Sequence, residues 1–237
     1  MIFDAFAERL RTGVATAVER TTAHDTFSVW SENAGGERSG GDWCIIVPLS
    51  EHFVALSIGD VAGHGRAATG TMAIVRASIL AAIEETRVPS EMFRAANAIA
   101  FREGLLVTAI AAIFDRRRRT LTFANAGHPP PLVSTGAAHA FVAHPPADLP
   151  LGVYARHDAA NYVVALPKDA LFLLYTDGIT EHARDPIRGE AELVEAARWS
   201  YERPERDPAQ AVADRMLRLV RGGDDAAVMA LRLAGAF

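Results

Sequence analysis

"LSIGDVAGHG", residues 56–65, joins two kinds of structure. The strand-like run "FVALSIGD" ends at Asp60, and Gly59, Gly63 and Gly65 then surround His64. From Gly65 to Glu85 an alanine-rich stretch places Met72, Ile74, Val75, Ile79, Leu80 and Ile83 at the spacing of a buried helix. Three readings fit the junction: a tight turn, an anion cradle at a helix N-terminus, or a metal site. "GDVAGHGRAA" lacks the lysine of a P-loop and the GxGxxG spacing of a dinucleotide turn. His64 fits either a proton donor or a structural hydrogen-bonding residue of the turn.

Upstream, "DWCIIVPL" and "FVALSIGD" have strand length and composition, and "SEH" between them makes a hairpin. "FSVWSE" before the glycine-rich "AGGERSGG" is a further strand. Residues 2–20 place Ile2, Phe3, Phe6, Leu10, Val14 and Val18 at helical spacing, which predicts an N-terminal amphipathic helix. Downstream, Pro89 and Ser90 open a second helix that runs to about Arg102. Strand patterns follow in "LLVTAIAAIFD", "TLTFANAG", "PPLVS", "AHAFVA", "NYVVALP" and "ALFLLYTD", then helices near 189–201 and 208–221, and finally "AAVMALRL". Arg116–Arg119 lies between two strand patterns, so it is a solvated hairpin tip. In "NAGHPPPLV" the prolines predict a rigid turn leading into an edge strand, with His128 anchoring the turn.

Two strand-like runs end in aspartate, at Asp60 and Asp177, and two begin with it, at Asp42 and at Asp224–Asp225. If neighbouring strands are antiparallel, the end of one lies beside the start of the next, so these positions can share one edge. Each also adjoins glycine: Gly40 and Gly41, Gly59, Gly178, and Gly222 and Gly223. Glycine permits tight turning and close backbone approach, while the bland alternative is that Asp-Gly pairs are ordinary turn formers. Carboxylates gathered without counter-charge repel one another, and a multivalent cation offsets that cost. An all-oxygen ligand set, without zinc-spaced histidine or cysteine, points to Mg2+ or Mn2+.

Taken together, "AGGERSGGDW", "LSIGDVAGHGRAA", "VTAIAAIFD", "FANAGHPPPLV", "LPLGV", "LFLLYTDGITEHAR" and "GGDDAAVMAL" resemble the metal-dependent PPM (protein phosphatase 2C-like) serine/threonine phosphatases, in their bacterial SpoIIE-like branch. The motifs occur in family order from residue 34 to residue 230. The resemblance implies an α+β fold, a PPM-type αββα sandwich of two antiparallel β-sheets flanked by helix pairs, with 1–237 as one catalytic domain. It implies two Mn2+ or Mg2+ ions. By position, Asp60 bridges both ions, Asp42 and the backbone carbonyl of Val61 complete one of them, and Asp177 and Asp224 hold the other. Asp225 and His64 are supporting residues. The activity implied is hydrolysis of phosphoserine or phosphothreonine by a metal-activated water, on a signalling partner resembling a STAS-type anti-sigma-factor antagonist.

The sequence departs from the family pattern where Cys44 and Ile45 follow Asp42-Trp43 in place of an aromatic residue and an aspartate, and where Ala226 and Ala227 follow the last aspartates in place of a Thr or Ser. These departures motivate two alternatives, a catalytically weak or inactive partner-binding relative and a small-molecule phosphohydrolase. Control is expected from a separate regulatory protein or from a homodimer formed through the N-terminal helix.

Composition sets outer bounds. The chain has 237 residues, with 24 basic against 29 acidic, and the net charge of −5 argues against a nucleic-acid footprint. Cys44 is the single cysteine, expected as a small buried residue in a reducing compartment. Asp4, Glu8, Arg9 and Arg11 interrupt any signal-peptide core, and the longest apolar run, Leu105–Phe114, is too short for a bilayer. A soluble, cytoplasmic protein without a membrane partner is the expectation.

Overall fold

The alternating apolar runs are realised as antiparallel pairs in a computed structural model that describes residues 16–20, 25–33, 40–63, 66–136, 139–141, 148–181, 185–216 and 224–233. In chain order these form β1 (Thr16–Arg20), β2 (Thr26–Glu32), β3 (Trp43–Pro48), β4 (Phe53–Val61), α1 (Arg66–Glu85), α2 (Pro89–Glu103), β5 (Val107–Asp115) and β6 (Thr120–Ala126). There follow β7 (Leu132–Ser134), β8 (His139–Phe141), β9 (Tyr162–Ala165), β10 (Leu171–Tyr175), a 3-10 turn over Asp177–Ile179, α3 (Pro186–Tyr201), α4 (Pro208–Met216) and β11 (Ala226–Arg232). The chain divides into two units, one built on the sheet β3-β4-β5-β6-β9 and the other on the sheet β1-β2-β11-β10-β7-β8.

In the first unit, odd-numbered residues of the strands, among them Trp43, Ile45, Ala55, Val61, Ala109 and Ala111, form one apolar cluster with α1 and α2. The helices supply Val75, Ile79 and Ile83, one turn apart, and Met92, Phe93, Ala96 and Ala100. Small alanines on the sheet let the helices pack closely, and full burial of a side chain the size of Phe93 contributes about 2–3 kcal/mol. The even-numbered residues Ile46, Val54, Leu56, Ile58, Ile110 and Phe114 point to the opposite face and are buried as well.

The β5–β6 hairpin tip is Arg116–Arg119, as the sequence predicts, and Asp115 holds it closed. Asp115 Oδ1 accepts from the backbone amides of Arg117 (2.9 Å) and Arg118 (3.1 Å), and Oδ2 accepts from Arg118 Nη1 at 2.8 Å. The Arg118 guanidinium and these two amides hold the Asp115 carboxyl below the usual carboxylate range. A depressed folded-state value means the contribution is complete above the unfolded pKa, near pH 4, and is lost as pH falls through the folded value. Asp115→Asn is therefore expected to lower stability at pH 7 by about 1–2 kcal/mol, with the gap to wild type closing towards pH 3. Urea unfolding at both pH values reads this; a pH-independent gap would show that charge plays no part.

In the second unit, Trp30, Leu171, Leu173, Tyr175, Val228 and Ala230 pack with Leu193, Ala196 and Ala197 of α3 and Val212, Ala213 and Met216 of α4. Asp185 caps α3 by accepting from Arg188 N, and Asp207 does the same for α4 by accepting from Gln210 N at 3.1 Å. Ser28 Oγ accepts from Ala209 N at 3.0 Å, tying α4 to β2. Arg232 Nη2 donates to Ser200 O at 2.7 Å and Nη1 to Pro204 O at 3.0 Å, closing the end of α3 against β11.

Three expectations change. The helix over 2–20 fails at 16–20, where the backbone is β1, paired antiparallel from Thr16↔Trp30 to Arg20↔Thr26; residues 1–15 lie outside the described residues. The backbone groups of β2 offer ladder partners that outweigh a helical spacing resting, in this segment, on Val18 alone. β7 is not an edge strand, because it pairs with β10 on one side and β8 on the other. Its ladder starts at Leu132, after the last proline, so no missing N–H interrupts it. The last predicted helix is seen as Pro208–Met216, with 217–223 outside the described residues.

Candidate metal centre

The register of the first sheet decides what faces Asp60. Trp43 pairs with Gly59, and Val61 N donates to Gly41 O at 3.3 Å, so the β3–β4 ladder continues one step and sets Asp42 opposite Asp60. Because Gly41 and Val61 are the hydrogen-bonded pair, Asp42 and Asp60 form the close type, with Cα atoms about 4.5 Å apart. On the other flank Asp60 pairs with Thr108 of β5. Asp42, Asp60 and Thr108 thus form a row across three strands, on the face turned away from α1 and α2.

A Cβ built on Gly41 would stand 2.9 Å from Asp60 Oδ1 and 2.9 Å from the carbonyl oxygen of Val61. A side-chain oxygen and a main-chain oxygen therefore face one small space that only glycine leaves open. Asp42 Oδ1 is buried beside them. Two carboxylates and a carbonyl in this arrangement match the hard-oxygen donor set of Mg2+ or Mn2+.

Cys44, two residues on and on the same face as Asp42, is half-buried. Burial first, then the charge of Asp42, push its thiol well above the ordinary range, with Arg76 opposing. The thiolate needed by a cysteine nucleophile is thereby suppressed. His128 behaves as the sequence predicts, as a turn anchor: its N–H donates to Asn125 Oδ1 at 2.7 Å and its carbonyl accepts from Asn125 Nδ2 at 2.9 Å.

In the second unit Asp177 opens the 3-10 turn after β10, and its carbonyl accepts from Thr180 N at 2.7 Å. Thr176 joins this turn to β11 through two bonds, its N–H to Ala227 O at 3.1 Å and its Oγ1 from Ala227 N at 2.8 Å. Gly178 packs directly on the carbonyl of Asp225. Asp224 stands close enough to act on Asp177: burial first, and then the charge of Asp224, hold the Asp177 carboxyl above its ordinary value. Asp225 N donates to Asp224 Oδ1 at 2.9 Å, which fixes the orientation of that carboxylate.

Each unit thus brings together one of the expected pairs, Asp42 with Asp60 and Asp177 with Asp224. Among the described residues no three histidine, cysteine, aspartate or glutamate side chains gather as a metal-holding group. His64 lies outside the described residues. Sequence reading missed Thr108 and Thr176. The second accepts from the backbone N–H of Ala227 with its hydroxyl.

The Stage II sporulation protein E (SpoIIE) family matches residues 50–234. Phosphoserine phosphatase RsbP of Bacillus subtilis (strain 168) is 29% identical over 158 residues, which is 63% of this chain and 38% of RsbP. Phosphoserine phosphatase RsbU of the same organism is 23% identical over 174 residues, 72% of this chain and 51% of RsbU. The chain therefore spans about half or less of the length of these curated relatives. The RsbU and RsbW domains of Rv1364c from Mycobacterium tuberculosis superpose with a TM-score of 0.83 at 23% identity, covering 94% of this chain and 64% of that one. The catalytic domain of serine threonine protein phosphatase PstP, in complex with two manganese ions, superposes with a TM-score of 0.62 at 15% identity, covering 89% of this chain and 99% of that one. The fold is the α+β fold of the PPM phosphatases.

Proposed function

This chain belongs to the SpoIIE family, and on that premise we propose that it is a PP2C-type phosphatase that removes phosphate from serine or threonine of a regulatory protein in a metal-dependent hydrolysis. The observation that carries the reading is the pair of oxygens, Asp60 Oδ1 and the Val61 carbonyl, facing the space kept open by Gly41 opposite Asp42. Asp42, Asp60 and the Val61 carbonyl would hold one divalent cation, and Asp177 and Asp224 would hold another. Bound there, a divalent cation would supply acidification of a water for attack on phosphorus and charge neutralisation at the phosphoryl oxygens.

The protein's own groups do the rest. The peptide of Asp225 holds one oxygen of Asp224 and leaves the other available. Thr176 locks the Asp177 turn to β11, so both carboxylates of that pair keep a fixed spacing. The raised thiol value of Cys44 favours direct hydrolysis over a phosphocysteine. A phosphorylated STAS-type anti-sigma-factor antagonist is the proposed substrate, and the similarity to two phosphoserine phosphatases supports phosphoserine as the group hydrolysed. Among the described residues no helix is long and apolar enough to cross a membrane.

The test is release of phosphate from a phosphoserine-bearing STAS protein with Mn2+, with Mg2+ and with EDTA. Metal-dependent release abolished by EDTA is expected. Mn2+ binding seen by calorimetry without any release, from phosphoprotein or from an aryl phosphate, would favour the partner-binding alternative suggested by Cys44 and Ala227. Release from the aryl phosphate alone would move the substrate class to small phosphomonoesters.

A further inference from the structure

The row Asp42–Asp60–Thr108 continues into a contact that the proposed chemistry does not use. Thr108 Oγ1 lies 2.9 Å from His128 Nδ1, and both residues belong to the first unit. His128 is 3% exposed, and its backbone is clamped at both polar groups by Asn125. The imidazole therefore has a fixed position at the end of the row.

Thr108 and Asp60 are directly opposed on one face of adjacent strands. Alternate opposed pairs exchange backbone bonds, and Ala62 N donates to Leu106 O at 2.9 Å, so Asp60 and Thr108 are again a hydrogen-bonded pair, with Cα atoms about 5.5 Å apart. At that spacing a threonine hydroxyl can reach the carboxylate opposite it. Asp60 Oδ1 faces Gly41 and the Val61 carbonyl. A bond from Thr108 to the second carboxylate oxygen would compete with a cation for that oxygen, because a charge-assisted O–H bond is strong.

We infer that His128 is a positioning residue: its Nδ1 accepts from the Thr108 hydroxyl and so keeps that hydroxyl from competing with a cation for the Asp60 carboxylate. The inference rests on the reading of Asp60 as a metal ligand. It assigns His128 a role through Thr108 and Asp60, apart from its role in the turn. The turn is held by the main chain of His128 and the side chain of Asn125, which side-chain replacement of His128 leaves in place.

The test is a double-mutant cycle read by Mn2+ calorimetry and by the Mn2+-induced rise in Tm, neither of which requires turnover. His128→Leu, which fills the buried volume without a ring nitrogen, is expected to weaken Mn2+ binding about tenfold, as loss of groups that orient metal ligands does. His128→Asn, which offers an amide near the place of Nδ1, is expected to bind close to wild type. Thr108→Val alone should change little, and adding Thr108→Val to His128→Leu should restore most of the lost affinity. Weakening without rescue by Thr108→Val would overturn the inference and leave His128 as a turn residue, as would unchanged binding in His128→Leu. If His128→Leu does not fold, His128→Ala read against His128→Ala with Thr108→Val decides in the same way. Wild-type protein that binds no Mn2+, or binds it equally after Asp60→Asn, would instead bring down the metal-site reading itself.

Discussion

Asp60→Asn protein is expected to fold as wild type does and to lose at least about a hundredfold of its Mn2+-dependent phosphate release. The substitution keeps the shape of the side chain and removes the charge that would hold the ion beside Asp42 and the Val61 carbonyl. Its neighbours argue that the fold survives. Asp60 faces Asp42 in a close pair, so removing one of two like charges relieves repulsion in the metal-free protein. The hydrophobic cluster beneath β4 is carried by Ala55 and Val61, which are untouched. Three readings together decide the matter: Tm without metal, the rise in Tm on adding Mn2+, and the hydrolysis rate. The expected result is an unchanged or higher Tm, no rise with Mn2+, and little turnover. A variant that still responds to Mn2+ and still hydrolyses would remove Asp60 from the centre.

Gly178→Ala is expected to lower stability by about 2–3 kcal/mol. A Cβ there would overlap the Asp225 carbonyl oxygen and stand 3.0 Å from the Asp225 carbonyl carbon and 3.3 Å from Ala226 Cα. All of these are main-chain atoms, so no side chain can swing aside. The turn is also bound to β11 through Thr176 and Ala227, so relief requires prising Asp177 away from the strand that carries Asp224. Loss of stability and loss of the Mn2+ response should therefore appear together. Urea unfolding gives the first and calorimetry the second. A cost below about 0.5 kcal/mol would show that the turn yields more easily than its bonds suggest.

Most of the fold was legible because its strands carry their own evidence. "FVALSIGD" and "VTAIAAIFD" are apolar runs of strand length, and they became β4 and β5, paired from Phe53↔Asp115 to Val61↔Val107. The helices declared themselves through Pro89 at the start of α2 and through the one-turn spacing of Val75, Ile79 and Ile83 in α1. Thr16–Arg20 did not, because the same few residues satisfy helical and alternating spacing. Only β2, a distant partner, selects between them. β7 was misplaced for a related reason: prolines 129–131 rule out ladder bonds at their own positions, yet Leu132–Ser134 pairs freely on both sides.

The candidate centre was legible as residue types, an aspartate beside glycine at four strand ends, but not as geometry. That Asp42 stands opposite Asp60 follows from register, which depends on which strands meet. Thr176 and Thr108 were invisible for the same reason. Each serves a residue distant in sequence, Ala227 or His128, and nothing in its immediate sequence marks it.

The suppressed thiol of Cys44 has a bearing on oxidative stress. Hydrogen peroxide and alkylating agents silence phosphatases that work through an ionised sulfur, because that sulfur is what they react with. Here burial and the charge of Asp42 push the single thiol above its ordinary value, which disfavours the thiolate. An enzyme that hydrolyses through a metal-activated water does not depend on such a sulfur, so the proposed activity of this chain is expected to survive treatment with a thiol-alkylating agent.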